Sequence, residues 1–231
     1  LENINENWKI SELKKSGKTA FFNVFFSSLG PFGTAIQESL FGIGDRIRSD
    51  RIENYLKELE PRLKEIENII IPKEYYKSIE FYDLNYKILK SASETSEKLK
   101  YKILSNIYIE SINPKTKWEK DLKNIFIKII NDFSTNHFFV LKFLITKEGM
   151  YKIKSYEILH TEFSEYIGNE GIDVYQFRLY CREIENKSLI RFSSNLNEIG
   201  SNGGIFEKED SSKIESIILT NFGKKFISII E

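Results

Sequence analysis

The sequence is short of the residues that most often announce chemistry: its 231 positions include one cysteine, two histidines, four prolines and two tryptophans. A single thiol closes no internal disulfide and supplies no cysteine-based zinc site, and His137 and His160 form no ligand-spaced pair with a carboxylate cluster. No cofactor or metal is expected, and the reducing cytoplasm is the expected setting. An excess of one charge sign is also missing, because 34 basic side chains are matched by 34 acidic ones. That balance removes the global attraction to nucleic acid or acidic membrane and leaves it to local patches. Nor is there an unbroken apolar run of the about 20 residues that cross a bilayer. The most apolar segment, 19–44, is split by Gly30, Pro31 and Gly33 into two halves, neither of which spans alone. Lys14, Lys15 and Lys18 precede it in the order of a signal peptide, but no small-x-small cleavage site follows, so secretion is not expected.

What is present is material for a core. Apolar residues make up 41% of the chain and aromatics 14%, which excludes disorder and suits one large or two small domains. In the first half of segment 19–44, apolar side chains at 20, 21, 22, 24, 25, 26 and 29 go nearly round a helix instead of along one stripe. Such a helix has to be buried, so a helical hairpin in the core or at a dimer interface is expected. Phe21, Phe22, Phe25, Phe26 and Phe32 are its candidate contacts with a protein partner, a second copy or a membrane.

Farther along, Ile52, Tyr55, Leu56, Leu59, Leu63, Ile66 and Ile70 recur at steps of three and four, predicting an amphipathic helix over 45–71 with a kink or break at Pro61. Tyr75, Ile79, Tyr82, Tyr86 and Leu89 predict a helix over 74–91. Others follow over 97–112, ending before Asn113-Pro114, and along the stripe Trp118, Leu122, Ile125, Phe126, Ile129 and Phe133. Residues 1–133 therefore read as a helical domain. Beyond them, Ser134 is placed to cap a helix over 135–147 that Gly149 ends, and 155–166 forms a second helix closed by Gly168. A third over 173–186 has Val174, Phe177, Tyr180, Cys181 and Ile184 on its apolar face. A strand at 188–192, a polar tip at 193–213, a strand at 214–219 and a helix at 221–230 complete the domain 134–231. Three helices followed by a two-stranded hairpin is the order of a winged helix-turn-helix. The expected fold class is mostly α, an N-terminal helical bundle followed by a C-terminal winged helix-turn-helix with a small β-hairpin.

The local motifs carry little chemistry. Ser16-Gly17-Lys18-Thr19 ends like a phosphate-binding loop, but Glu12 stands where that loop needs a glycine, and no strand precedes it. Gly42-Ile43-Gly44 lacks the third glycine of a dinucleotide fold and reads as a flexible break. Cys181 lies on an apolar helix face, where thiols are inert. Carboxylates such as Glu58 and Glu60, or Glu207, Glu209 and Asp210, sit where water relieves their repulsion. The chain is not expected to be an enzyme. DNA binding is the sharper alternative, because a winged unit offers its third helix to the major groove. Its candidate contacts are Gln176, Arg178, Arg182 and Lys187, with Lys208 and Lys213 on the wing. Residues 134–231 hold 12 basic and 14 acidic side chains, however, and a net negative reading head disfavours phosphate contact.

The run FRLYCREIENKSLIRF, followed after the tip by IILTNFGKKFISII, resembles the helix, leucine-isoleucine strand and LT-x-x-G-x-x-F ending of the bacterial abortive-infection alpha family. Upstream, ETSEKLKYKILSNIYIESINP resembles that family's helix before its winged-helix-like part, and FSTNHFFVLKFL takes the place of its Ser-x-x-x-x-x-x-Leu helix. The similarity runs in order over residues 75–231. Two departures stand out. This chain has ENKSLI where many relatives have a glycine before the last two apolar residues, and its middle helix lacks their tryptophan and alanines. The segment FSSLGPFGTAIQESLFGIGDRIRSDRIENYLKEL also looks like an N-terminal module of bacterial proteins. The resemblance implies a cytoplasmic helical protein of antiviral defence. The expected function is a non-enzymatic phage-defence protein working through protein–protein contacts, with a partner or as a homo-oligomer. The alternatives are a winged-helix DNA-binding regulator and a membrane-active effector that uses the Phe-rich segment 19–44.

Overall fold

A computed structural model describes residues 8–9, 25–27, 29–41, 46–66, 70–114, 116, 118–149, 154–168, 171–193, 213–214 and 216–230. The described chain is mostly helical and falls into two units, one running through Asp132 and the other from Phe133 to Ile229. Within the apolar N-terminal segment, one helical turn at 25–27 leads through Gly30, at a left-handed φ of 60°, into α1 (Pro31–Phe41). Pro31 suits the first helical position, where its fixed φ is helical and its missing N–H would have had no partner. Gly33 allows the turn to close on the helix: a Cβ there would stand 1.8 Å from the Phe26 carbonyl oxygen. Phe25 and Phe26 are buried as a result, with the Phe25 and Tyr108 ring centres 6.2 Å apart. The two residues are therefore core and not exposed contacts, because the close turn directs their rings into the bundle. Phe32 is half-buried, its ring 5.2 Å from that of Tyr82. Phe21, Phe22, Ser16-Gly17-Lys18-Thr19 and Gly42-Ile43-Gly44 lie outside the described residues.

Helix α2 (Arg46–Glu65) buries Ile52, Tyr55, Leu56, Leu59 and Leu63. It runs unbroken through Pro61, so of the kink or break expected there the break does not occur. Pro61 is exposed, and so is Lys57, whose carbonyl loses its helical donor, so water can take the donor's place. The helix also stops short of 71. Strand β1 (Trp8–Lys9) pairs antiparallel with β2 (Ile70–Ile71), Trp8 opposite Ile71 and Lys9 opposite Ile70. The single helix expected over 74–91 is instead two, α3 (Lys73–Tyr76) and α4 (Ile79–Glu94). Ser78 divides them, its hydroxyl accepting the Phe81 N–H at 3.1 Å and capping α4. Next come α5 (Lys98–Ile112) and α6 (Lys120–Asp132). Helix α2 packs along α4 and α5, α6 covers the same two helices, and α1 lies against α2 and α4.

In the second unit, α7 (Thr135–Thr146) starts at Ser134, whose backbone N–H donates to His137 Nδ1 at 3.0 Å. Helix α8 (Tyr156–Ile167) begins at Ser155 and ends at Gly168, which takes the left-handed φ of 61° that a C-cap favours. Helix α9 (Val174–Asn186) opens on a capping box, Asp173 accepting the N–H groups of Tyr175 and Gln176. The three helices meet in an aromatic cluster. The Phe163 ring lies 5.5 Å from Phe143 and 5.1 Å from Phe177, centre to centre. Strand β3 (Lys154–Ser155) precedes α8, β4 (Ile190–Ser193) follows α9, and β5 (Lys213–Ile214), β6 (Ser216–Leu219) and α10 (Asn221–Ile230) complete the unit. Strands β4 and β6 form a small antiparallel hairpin with Ile190 opposite Leu219 and Ser193 opposite Ser216. The return strand expected over 214–219 is divided, since Ile214 belongs to β5, which pairs with β3. Lys213 accordingly sits in a strand pair and not on the tip, while Lys208 and the rest of 194–212 lie outside the described residues.

The LT-x-x-G-x-x-F ending has a clear physical role. The Thr220 hydroxyl donates to the Ser188 carbonyl at 2.6 Å and accepts the Gly223 N–H at 2.8 Å, which caps α10. Gly223 lies so close to the turn after α9 that a Cβ would stand 1.9 Å from the Leu189 carbonyl oxygen. Phe226 is fully buried. Ser188, in the ENKSLI run, holds a left-handed φ of 58°.

Candidate functional site

Helix α9 has two faces of different use. Phe177, Cys181 and Ile184 form the buried face. With about 100° between successive helical residues, Tyr175, Leu179, Arg182 and Asn186 fall within about 60° of one another on the opposite side. All four are exposed, Tyr175 by 80% and Leu179 by 53%. The outer face of α9 is thus a tyrosine and a leucine followed by an arginine and an amide, with the two apolar groups more than half exposed.

The residues expected to read DNA do not gather on this face. Gln176, Arg178, Arg182 and Lys187 spread over about half the helix circumference. The Gln176 side-chain oxygen accepts the Asp173 N–H at 3.2 Å, closing the capping box. The Arg178 guanidinium lies over the Tyr156 ring, 5.1 Å from its centre, a cation–π contact that holds it to α8. Lys187 is half-buried at the end of α9, its backbone N–H donating to the Glu183 carbonyl at 3.1 Å. Arg182 alone of the four stands in the exposed stripe.

The acidic and titratable groups of the helix serve structure. His137 Nδ1 accepts a backbone N–H, so the ring proton of the neutral imidazole resides on Nε2, which donates to the Glu183 carboxylate. The Glu185 carboxylate accepts the Phe192 N–H at 2.8 Å and ties α9 to β4. His160 Nε2 meets the Ile172 carbonyl at 2.6 Å. Burial pushes the Cys181 thiol well up, with Glu185 adding to it, which removes its nucleophilic form. Burial also pushes the Tyr156 phenol up to about 12, helped by Cys181 and Glu185 and opposed by Arg182 and Arg178. Among the described residues no group of three or more His, Cys, Asp or Glu could hold a metal ion, and no helix is long and apolar enough to cross a membrane.

Comparison with protein-family models, with curated proteins and with solved structures gives no match. Attention to basic residues alone misses Tyr175 and Leu179. Their signal is an apolar pair four positions apart on the side of α9 opposite Phe177, Cys181 and Ile184.

Proposed function

We propose that the chain is a non-enzymatic protein of bacterial phage defence, of the abortive-infection type. Its residues 134–231 form a winged-helix-like module that binds protein through the outer face of α9. The order α7, α8, α9, β4 and β6 supports the winged reading, since three helices and a hairpin follow one another as in that motif. The fit of Thr220, Gly223 and Phe226 to the family-like ending supports the relationship. The observation that carries the function is the exposed pair Tyr175 and Leu179 beside Arg182. Tyrosine and arginine are the residues that dominate protein interfaces, whereas phosphate contact needs a cluster of cations.

The partner tested first is a second copy of the chain. Light scattering at tens of micromolar is expected to show concentration-dependent self-association that Tyr175→Asp or Leu179→Asp abolishes. Both sites are exposed, so stability should stay within about 0.5 kcal/mol of the parent. A strictly monomeric parent chain, or association that both variants retain, would reject this interface. A salt-sensitive gel shift with duplex DNA, lost in Arg182→Ala, would favour the regulator instead.

A further inference from the structure

The second unit also contains a pocket of about 640 Å³, away from the stripe of α9. Asn136, Phe139 and Lys142 line it from α7, Tyr166 and Ile167 from the end of α8, and Ile172 from the connection to α9. Its volume falls within the range of about 300–1,000 Å³ common for small-molecule sites. Two of the lining rings are kept in solvent, Phe139 exposed by 42% and Tyr166 by 52%. The wall is therefore apolar, and its polar groups are few. Asn136 Nδ2 donates to the Tyr180 hydroxyl at 3.4 Å, which fixes the amide against α9. Among the described lining residues Lys142 is the one cation, and none is a carboxylate. Among the described residues it has no ion pair. Lys147, farther along, differs in both respects: it meets the Glu162 carboxylate at 2.9 Å and lies over the Phe143 ring.

We infer that this pocket binds a small amphipathic carboxylate. The apolar or aromatic body sits among Phe139, Tyr166 and Ile172, and the carboxylate meets the Lys142 ammonium. The warrant is charge complementarity. A cation without an ion pair beside apolar groups, with no carboxylate among the described lining residues, favours an anion over a neutral guest of the same shape, because a charged hydrogen bond is stronger than a neutral one. The inference is independent of the protein-binding face of α9.

The test uses naphthylacetate and its neutral counterpart naphthylethanol, titrated into the whole chain and followed by ligand-detected NMR and calorimetry. The carboxylate is expected to bind roughly tenfold more tightly than the alcohol, the scale of one charged hydrogen bond. Lys142→Met should erase that preference while leaving the alcohol's affinity unchanged. Phe139→Ala should weaken both ligands roughly tenfold through lost apolar contact. Both side chains are partly exposed, and unchanged melting curves would confirm that the variants fold. Tyr175→Asp and Leu179→Asp should leave binding intact, which separates this site from the α9 interface. Equal affinity for the two ligands, a preference that survives Lys142→Met, insensitivity to Phe139→Ala, or no binding at millimolar concentration would each overturn the inference.

Discussion

Lys123, buried in the first unit, meets the Glu80 carboxylate at 3.0 Å and lies over the Tyr75 ring, whereas the second unit buries the Cys181 thiol together with the apolar Phe143, Phe163, Phe177 and Ile184. The contrast extends across both interiors. Asn85, Ser91, Ser93, Lys100, Ser105, Ser111 and Lys123 are buried in the first unit, against His137 and Ser216 among the described residues of the second. Outside, the order is reversed. Among the described residues the first unit exposes Ile47, Ile79 and Ile125, while the second exposes Phe139, Ile158, Tyr166, Tyr175, Leu179 and Ile218. A polar interior demands particular partners and so holds one arrangement of helices, whereas an apolar exterior gains by being covered. The division points to a first unit built for internal order and a second built for contact.

Raising the pH should break this contrast most completely. The phenols of Tyr55, Tyr75, Tyr101 and Tyr108 are all pushed above their ordinary value of 10.0, with burial the largest cause in each. Among the described residues of the second unit the Tyr156 phenol is raised in this way, alongside the Cys181 thiol. Below the ordinary phenol value these tyrosines are neutral in the folded and unfolded chain alike, and their contribution to stability is complete. Above it the unfolded chain gives up protons that the fold retains, so stability falls as pH climbs toward the folded values. The Cys181 thiol, with an ordinary value of 9.0, starts the loss earlier in the second unit, but above pH 10 four phenols act on the first unit, so protection of amides over 46–132 is expected to fall more steeply there than over 133–229. Tyrosinate absorbance rising at the ordinary midpoint, with protection of 46–132 intact, would contradict this.

Substitution at the aromatic centre of the second unit should come next in size. Phe177→Ala removes a fully buried ring that touches both Phe143 and Phe163, and a loss of about 3–5 kcal/mol in urea unfolding is expected. A loss under about 1 kcal/mol would mean that the three helices do not depend on one apolar centre. The smallest effect sharpens the comparison in the opposite direction. Ser188→Gly relieves a left-handed backbone at φ 58° and should raise stability by about 0.5–1 kcal/mol, read as a higher urea midpoint. A lowered midpoint would show that the Ser188 side chain contributes more than the backbone strain costs.

Helical periodicity made much of the fold legible. The stripe Ile52, Tyr55, Leu56, Leu59 and Leu63 is buried as its spacing predicts, and Ser134, Gly168 and Asp173 mark helix ends because capping is local chemistry. What depended on neighbours was not legible. Pro61 continues its helix because the affected side faces solvent, and Ser78 becomes a cap only through the Phe81 N–H. The pairing of Lys154–Ser155 with Lys213–Ile214 joins residues remote in sequence that show no alternating pattern. The candidate sites were hidden for a similar reason. The pocket takes lining residues from Asn136 to Ile172, and the α9 stripe depends on knowing which side of the helix is exposed.

The bonds from Thr220 to Ser188 and Leu189 join positions 32 and 31 residues apart. They act as a clasp at the base of everything between β4 and β6, and this bears on how the second unit folds. Helices α7 to α9 can assemble through near neighbours, while the clasp must wait for positions far apart in sequence to meet. Loop closure depends on length only logarithmically, about 0.6 kcal/mol for each doubling, so sequence distance alone weighs little on stability. A substitution at Thr220 or Gly223 acts instead on the closure itself. The two residues thus govern when the last helix joins the unit.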